Sequence, residues 1–482
     1  MALIPVAIAE GFYEDSVKPI ASQECVNYYP YIPEATATTQ AALKPTTGLS
    51  LFATNGNKVN RGAHVMNSVA FFVNGNTLYR VNADGTSDSL GTISGSGSVS
   101  MADNGAQLCV VVPDSTGYIF TSSPDTLTEI TDTDYFSLGP SKQVVYKDGY
   151  FVHISDSKFF NSALNNGLVY GALDFGTAEV DPDNNTAIHV NRNILYIGGN
   201  ETIEPFQNVG GSGFPFSRIQ GGVIQKGIKA KFSVIDFDNS FVFLGGGVNE
   251  QPAIWRFTGA SAVKLSTPPI DNIIGTYTSD QLDAVYSTSY AADGAFFVCF
   301  HFPLHTFCYD ATASARYGKP IWHQRKSRDS NGSSTAWRVA SLVQAYGKTL
   351  AGDTLGAKIG HLTKTALTEY DTLIDRGFSG ATLQAEGVNL FVSKLELFLQ
   401  SGAGTTLDPT QEPLVTMSFS KDGGITWGNE LSRKIGKIGE YGKRQTWKRL
   451  GRFPRYATFK FSVSGEIDCS ILKLTADITG GQ

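Results

Sequence analysis

Two histidines of this chain stand at the spacing of a zinc site. His301 and His305 are four residues apart, and a helix would place both imidazoles on one face, as zinc coordination requires. However, Pro303 lies between them in the aromatic run AFFVCFHFPLHTF, and a proline there interrupts a helix. We therefore interpret both as strand histidines and predict no metal site and no cofactor. The spacing of the other residues selects no Ser/His/Asp or Cys/His catalytic set.

Carboxylates that could cleave a glycosidic bond are plentiful, but no two are singled out. Glycosidases need two carboxyl groups flanking the scissile bond, and sialidases use an arginine cluster with a tyrosine nucleophile. Glu201, Glu204 and Asp236 are examples of available acids, yet no spacing selects a pair, and the surrounding sequence has few arginines. We predict that the chain is not an enzyme.

The stretch SFSKDGGITWGNE, residues 418–430, contains the hairpin signature S-x-D-x-G-x-T-W, called the Asp-box. Its residues are Ser420, Asp422, Gly424, Thr426 and Trp427. In this turn the Ser and Asp side chains bond backbone groups, the glycines adopt positive φ, and the Trp packs underneath. Because these roles are structural, the motif predicts a turn. Sialidases also carry it, away from the catalytic centre, so a carbohydrate-binding or glycan-hydrolysing propeller is the alternative function.

A dense group of basic side chains follows the Asp-box. Residues 431–460 contain ten Lys or Arg and a single acid, Glu440, a net charge of +9; the whole chain carries −6, so the rest carries −15. Such a cluster can bind an acidic protein surface or DNA phosphates, or can be a solvated hairpin face. No RNP or helix-turn-helix pattern indicates sequence-specific DNA recognition. The candidate partner- or DNA-binding residues are Arg433, Lys434, Lys443, Arg444, Lys448, Arg449, Arg452 and Arg455.

Composition indicates a globular β-protein. The 482 residues are 41% apolar, 11% aromatic and 17% charged, and the 51 glycines favour many tight turns. The odd count of five cysteines argues against a disulfide framework and favours assembly in a reducing cytoplasm. Cys299 and Cys308 could face each other across a hairpin, but we interpret them as buried small hydrophobic residues. The longest apolar run is shorter than the roughly 18 residues that span a membrane, so we predict no membrane insertion.

Hairpin patterns recur along most of the chain. Seven units of two apolar runs around a Gly/Asn/Asp turn, such as VAFFVNGNTLYRV and VVYKDGYFVHI, begin some 36 to 57 residues apart. This spacing is typical of β-propeller blades, and we predict six or seven. We predict an all-β protein with three parts: an extended N-terminal arm (1–60), a propeller-like domain (61–378), and an antiparallel β-sandwich domain with the Asp-box hairpin (379–482). One short helix is predicted in TSDQLDAV, capped by Thr278 or Ser279.

Five stretches, in order, resemble the tail accessory proteins of P22-like short-tailed phages, described as packaged-DNA stabilisation or tail-hub proteins. The resemblance is densest from about residue 190 onward. Earlier it rests on KPTTGL and on the general order of segments. The stretches are ETIEPFQNVG, QKGI, IDNIIGTYT, HFPLHTFCYDAT and SKDGGITWG followed by RQTWKRLGRFPRYATFKFSVSG.

The resemblance implies a structural virion protein of the phage tail, assembled in the host bacterial cytoplasm. It implies a homo-oligomeric, sixfold ring below the portal and its adaptor ring. Such a ring would extend the DNA channel, stabilise the packaged double-stranded DNA without sequence specificity, and anchor the tail needle and tailspike or fibre proteins. A ring with head-to-tail contacts needs two different complementary faces, which the acidic blade region and the basic C-terminal domain could supply. A cellular propeller scaffold without a viral role is a further alternative.

Overall fold

The structure, a computed structural model, describes residues 2–34, 37, 39–178, 183–211, 213–259, 261–385, 387–402 and 413–481. Within these residues strands predominate, which confirms the predicted all-β class. The described residues also form four short helices: α1 Thr133–Ser137, α2 Pro268–Ile274, α3 Ser279–Asp283 and α4 Ala311–Tyr317. Helix α3 is the predicted one, and Thr278 caps it in a capping box with Gln281.

Seven short strands precede the repeats. They are β1 Ala2–Val6, β2 Tyr13–Glu14, β3 Ser22–Gln23, β4 Cys25–Val26, β5 Tyr28–Tyr31, β6 Ala42–Pro45 and β7 Gly48–Thr54. Together they cover much of the segment predicted as an extended arm.

The described strands then form seven successive blades of a β-propeller. Blade 1 consists of β8 Asn60–Met66, β9 Val69–Asn74, β10 Thr77–Val81 and β11 Ser87–Thr92. Blade 2 consists of β12 Ser100–Asp103, β13 Gln107–Val111, β14 Gly117–Ser122 and β15 Asp125–Glu129. Blade 3 consists of β16 Gln143–Lys147, β17 Tyr150–Ile154, β18 Phe159–Ala163 and β19 Asn166–Gly176. Blade 4 consists of β20 Asn185–Asn191, β21 Ile194–Gly199, β22 Ile203–Asn208 and β23 Phe216–Arg218. Blade 5 consists of β24 Gly227–Ile228, β25 Ile235–Phe237, β26 Ser240–Gly246, β27 Ala253–Phe257 and β28 Ala262–Lys264. Blade 6 is β29 Tyr286–Ala292, β30 Ala295–His301, β31 Thr306–Asp310, β32 Trp322–Arg328 and β33 Ser334–Ala336, and blade 7 begins with β34 Val339–Ala345, β35 Lys348–Asp353 and β36 Lys358–Thr363.

The N-terminal strand β7 completes blade 7. It pairs antiparallel with β36, so the fourth strand of the last blade comes from the start of the chain. Leu49 of β7 is 1% exposed and joins the apolar core between blades 6 and 7, together with Trp337 and Val339. A separate apolar core, with Phe72 and Leu350, joins blade 7 to blade 1 and closes the ring of blades. The propeller is therefore closed by a strand that is distant in sequence from its partner.

The C-terminal residues form the predicted β-sandwich. Its strands are β39 Arg376–Ser379, β40 Leu383–Gln384, β41 Asn389–Leu399, β42 Leu414–Ser420, β43 Leu431–Lys434, β44 Gln445–Phe453, β45 Tyr456–Ser464 and β46 Ile471–Gly481. The two strands before them, β37 Thr368–Glu369 and β38 Thr372–Leu373, extend the sheet of blade 7. One layer has the order β44-β41-β46-β6-β5 with β1 beside β46, and the other contains β39-β45-β42-β43. Trp447, Phe459 and Phe461 lie in the core between the layers.

The N-terminal segment joins the two bodies. Strands β1, β5 and β6 add to one sandwich layer, while β4 lies between β32 of blade 6 and β39 of the other layer, so one sheet runs from propeller to sandwich. Buried Asn27 reinforces this junction because its side-chain amide nitrogen donates to the carbonyl oxygens of Lys326 and Asp375, at 2.9 and 2.7 Å. The two bodies are thus held in a fixed relation. The residue boundaries given above for the three parts, 1–60, 61–378 and 379–482, stay a prediction.

The two histidines at zinc-site spacing and the two neighbouring cysteines have structural positions in blade 6. His301 ends strand β30, is 2% exposed, and hydrogen-bonds Thr288. His305 lies in the turn between β30 and β31 and contacts the Tyr277 hydroxyl at 2.7 Å, so the interpretation as a strand histidine is right for His301 and wrong for His305. Cys299 and Cys308 face each other across β30 and β31 and are joined by a disulfide, so the interpretation of both as unbonded hydrophobic residues is wrong, although both are buried.

Asp310 provides a pH-dependent prediction. Its fully buried carboxyl group caps α4 by accepting from the Ala313 N–H at 2.8 Å, and burial raises its pKa from 3.8 to about 6 despite the backbone bonds that favour the anion. The folded state therefore binds an extra proton between these values. The bound proton stabilises the folded state; this contribution is fully present below pH 3.8 and is lost as the pH rises through 6.

Asp310→Asn keeps the cap without the buried charge. We expect it to stabilise the protein by about 1–2 kcal/mol at pH 7.5 and to lose that advantage at pH 4. Denaturant titrations at both pH values measure the difference. An advantage of the same size at both pH values would show that the charge is not its cause.

Candidate interaction surface

The Asp-box residues form a hydrogen-bonded turn after β42. The Ser420 hydroxyl accepts from the Gly424 N–H at 2.8 Å, and the Asp422 carboxylate accepts from the backbone and hydroxyl of Thr426 at 2.9 and 2.5 Å. Desolvation would raise the pKa of Asp422, but the bonds from Ser420 and Thr426 outweigh it and lower the pKa to about 2. Gly424 has a φ of 101°, a conformation that L side chains rarely adopt. The half-buried ring of Trp427 lies near Lys460, 5.8 Å from its ammonium nitrogen.

The basic residues predicted as a partner site meet where the two sandwich layers come together. Strands β43 and β44 are edge strands of opposite layers among the described strands. They are tied by the Trp447 indole N–H, which donates to the Leu431 carbonyl at 2.8 Å, and by the Arg433 guanidinium, which donates to the Thr446 carbonyl at 3.0 Å.

We call the eight predicted residues together the basic ridge. Two lie on β43, two in the connection to β44, three on β44 and one in the turn after it, and all except half-buried Lys443 are exposed. They are Arg433, Lys434, Lys443, Arg444, Lys448, Arg449, Arg452 and Arg455.

A β-bulge shapes the centre of the basic ridge. Arg449 and Leu450 together lie opposite the single residue Ser393 of β41, and Arg449 has a φ of 61°, in the left-handed region. Unbroken alternation would turn every second side chain into the core. The bulge instead leaves Lys448 and Arg449 exposed one after the other.

Several ridge side chains are occupied within the chain. Arg444 forms an ion pair of 2.5 Å with Glu396, whose side chain is only 5% exposed, and Lys394 pairs with the same carboxylate. Burial would raise the pKa of Glu396, but these two cations hold it below its ordinary value. Lys443 pairs with Glu440 at 3.2 Å. These residues therefore have structural roles besides any partner contact.

The centre of the ridge is different. The side chains of Lys448 and Arg449 make no hydrogen bond, ion pair or ring contact with any residue that the structure describes, although both are exposed on an ordered edge strand. Arg452 makes one bond, to the Asn389 side chain at 2.9 Å. The ridge thus presents unpaired positive charge outward at its centre.

An acidic surface on the propeller was not located from the sequence, although its signal is present. Residues 81–141 contain eight Asp or Glu and no Lys or Arg. Four of the acids are exposed on the outer strands β11 and β15 or in the turn before β11, and these two strands contact each other across blades 1 and 2. We call these four the acidic rim: Asp84, Asp88, Asp125 and Glu129.

Among the described residues no group of three His, Cys, Asp or Glu could hold a metal ion, and no helix is long and apolar enough to cross a membrane.

The fold is that of a seven-bladed β-propeller protein with a β-sandwich that presents an exposed basic surface. The family model described as bacteriophage P22 Gp10, beta-propeller, matches residues 4–367, and the model described as bacteriophage P22 Gp10, beta-sandwich, matches residues 375–479. The chain belongs to this P22 Gp10 family.

A curated relative supports the same assignment. The tail hub protein gp10 of Salmonella phage P22 is 25% identical over 289 residues, which cover 59% of this chain and 58% of the relative. The match therefore spans less than two thirds of that protein's length.

Similar solved structures have low sequence identity to this chain. The WD40 propeller domain of Doa1 is 12% identical with a TM-score of 0.40, covering 66% of this chain and 99% of that one. The N-terminal domain of Nup159 is 11% identical with a TM-score of 0.38, covering 71% and 100%. The family assignment does not rest on either.

Proposed function

We propose that this chain is a structural protein of a short-tailed phage virion, the subunit of a tail-hub ring below the portal and its adaptor. The observation that carries the proposal is the match of the P22 Gp10 propeller and sandwich models to nearly the whole two-domain body. The curated relative is named a tail hub protein. The chain acts by binding neighbouring proteins and not by catalysis.

The rigid connection of the two bodies suits a ring subunit. A sheet that continues from blade 6 through β4 into the sandwich fixes the distance between surfaces on the two bodies. Head-to-tail contacts close into a ring only when the rotation from one subunit to the next is fixed. We propose six copies, by the resemblance to the P22-like proteins.

The DNA channel of the proposed ring lies between copies. Within the propeller, the Gln143 side chain of blade 3 donates to the Lys231 carbonyl of blade 5 at 2.6 Å and accepts from the Ile188 N–H of blade 4 at 3.0 Å. One side chain thus ties three consecutive blades together, and we propose that DNA passes between copies and not through a propeller. Outside residues 431–460 the chain carries −15, and an acidic lining would let DNA slide without sticking.

The other proposed contacts follow from the ring's place in the tail. The ring extends the channel, keeps the packaged genome from leaking, and offers attachment surfaces for the tail needle and the tailspike or fibre proteins. Assembly takes place in the host cytoplasm. The Asp-box gives no support to a glycan-cleaving function, because Ser420 and Asp422 use their side chains within the turn.

A binding experiment with the purified portal–adaptor assembly tests the proposal. The full chain is mixed with that assembly and separated on a density gradient. We expect the chain to co-sediment at six copies per assembly, and not with the portal ring alone. A chain that stays at the top of the gradient at every concentration would contradict the proposal.

A further inference from the structure

The centre of the basic ridge, Lys448 and Arg449, has no charged partner among the residues that the structure describes. No ion pair among the described residues joins the ridge to the acidic rim, and the side chains of Lys448 and Arg449 have no partner at all among them. The ridge lies on the sandwich, whereas the rim lies on blades 1 and 2 of the propeller. A surface with unpaired charge on an ordered edge strand is suited to an ordered, oppositely charged partner.

The acidic rim is also an ordered surface. Arg80 donates to Asp88 and Asp125 at 3.1 and 2.8 Å and so holds these carboxylates side by side across the boundary between blades 1 and 2. The pKa of Asp88 lies below its ordinary value, first because of the bond from Asn82 and then because of Arg80, so the anion is favoured. Arg80 compensates one of these charges only, and the segment 81–141 that follows it adds no base.

We propose that the basic ridge of one copy of this chain docks on the acidic rim of the next copy, as the head-to-tail contact of the ring. This inference rests on the proposed function and adds the pair of surfaces that makes the ring. The two surfaces differ, are opposite in sign and lie on different bodies, as a heterologous contact requires. Because the continuous sheet through β4 fixes their separation, each contact repeats the same rotation.

The geometry favours a protein partner over DNA for this surface. The two unpaired bases of the ridge centre, Lys448 and Arg449, lie on one bulged strand, and the rim offers exposed carboxylates from two adjacent outer strands. Among its described residues the ridge contains no helix that could enter a groove, and the acidic rim supplies an ordered surface of opposite charge. DNA binding by the ridge is one outcome of the test below.

Paired charge reversals test the contact. The ridge variant carries Lys448→Glu, Arg449→Glu and Arg452→Glu, and the rim variant carries Asp88→Lys, Asp125→Lys and Glu129→Lys; all six side chains are exposed. Ring formation on the portal–adaptor assembly is measured by co-sedimentation of the full-length chain. We expect each variant alone to lose incorporation at least tenfold, because like charges then face each other.

The decisive arm mixes the two variants in equal amounts. The reversed ridge of one variant then meets the reversed rim of the other, and in an alternating ring of six every contact is again between opposite charges. We expect incorporation to recover to within about threefold of the unchanged chain, and to fall for the unchanged chain as salt rises to 1 M, where the screening length is about 3 Å.

Matched controls separate folding and net charge from the contact. Lys58→Glu with Arg192→Glu changes two exposed propeller bases outside the ridge and is expected to leave incorporation unchanged. The neutral rim variant Asp88→Asn, Asp125→Asn, Glu129→Gln avoids crowding cations around Arg80 and should still lose at least threefold, with an unchanged melting temperature.

Two results would overturn the inference. If the ridge variant fails but the rim variant is incorporated normally, the ridge docks on the adaptor or on DNA, which added duplex competing for the ridge would identify. If both variants are incorporated normally, neither surface is in the contact. In either case the unchanged chain still forms a ring on the adaptor, so the proposed function stands; loss of that ring would be a failure of the proposed function instead.

Discussion

Replacing Asp353 with alanine is expected to lower the free energy of unfolding by about 3–5 kcal/mol, since it leaves a buried cation without its partner. Asp353 is 1% exposed at the end of β35, and Arg338 donates to its two oxygens at 3.0 and 2.6 Å. Arg338 is 9% exposed and lies over the Tyr370 ring, so its guanidinium cannot turn to water without disturbing blade 7. Chemical denaturation followed by tryptophan fluorescence measures the loss.

An exposed ion pair provides the matched control. Asp125→Ala removes a partner of Arg80, but both side chains are partly in solvent and we expect a change within about 1 kcal/mol. The double variant Arg338→Met, Asp353→Leu should be more stable than Asp353→Ala alone, because it leaves no buried charge unpaired. Equal costs for Asp353→Ala and Asp125→Ala would mean that burial does not set the strength of the Arg338 pair.

Leu49→Ala tests the closure of the propeller by β7. The Leu49 side chain is 1% exposed in the core between blades 6 and 7, and truncating a buried leucine costs about 2–5 kcal/mol. Because β7 protects β36 by pairing with it, we also expect faster hydrogen exchange in β36.

The same strand contains its own control. Leu51 of β7 is 58% exposed, so Leu51→Ala should change the free energy of unfolding by no more than about 0.5 kcal/mol. Similar effects of the two leucine substitutions, or unchanged exchange in β36, would contradict closure of blade 7 by the N-terminal strand.

The blades could be predicted from the sequence because their hairpins are specified locally. Asp148-Gly149 and Asp293-Gly294 both have positive φ at the two turn residues, the conformation that Asp-Gly favours in two-residue hairpins. Each of the seven units singled out in the sequence lies in a different blade.

The closure of the propeller and the completion of the sandwich could not be predicted in this way. Leu49 pairs with Leu362, and Leu43 of β6 pairs with Ile471 at the other end of the chain. Pairings of this kind are decided by which apolar faces pack in the folded protein, and the short strands β4 to β6 carry no periodic pattern of their own. The N-terminal segment therefore reads as an arm while contributing strands to both bodies.

The charged surfaces could be predicted only in part from the sequence, because tertiary structure brings some of their residues together. The basic ridge is consecutive in sequence, so its charge stands out, but the pairing of Arg444 with Glu396 depends on the register of β41 and β44. The acids of the rim come from two blades, and only the contact of β11 with β15 brings them together. Charge counts locate a surface when its residues are contiguous and miss it when tertiary structure assembles it.

Electron microscopy of tails isolated from intact particles tests the proposed ring, because it gives the copy number and the position of this chain. We predict one closed ring of six copies of the 51.8 kDa chain below the adaptor, with DNA or an open channel between the copies and not within a propeller. A tail without this chain, or with single copies that do not contact one another, would contradict the account.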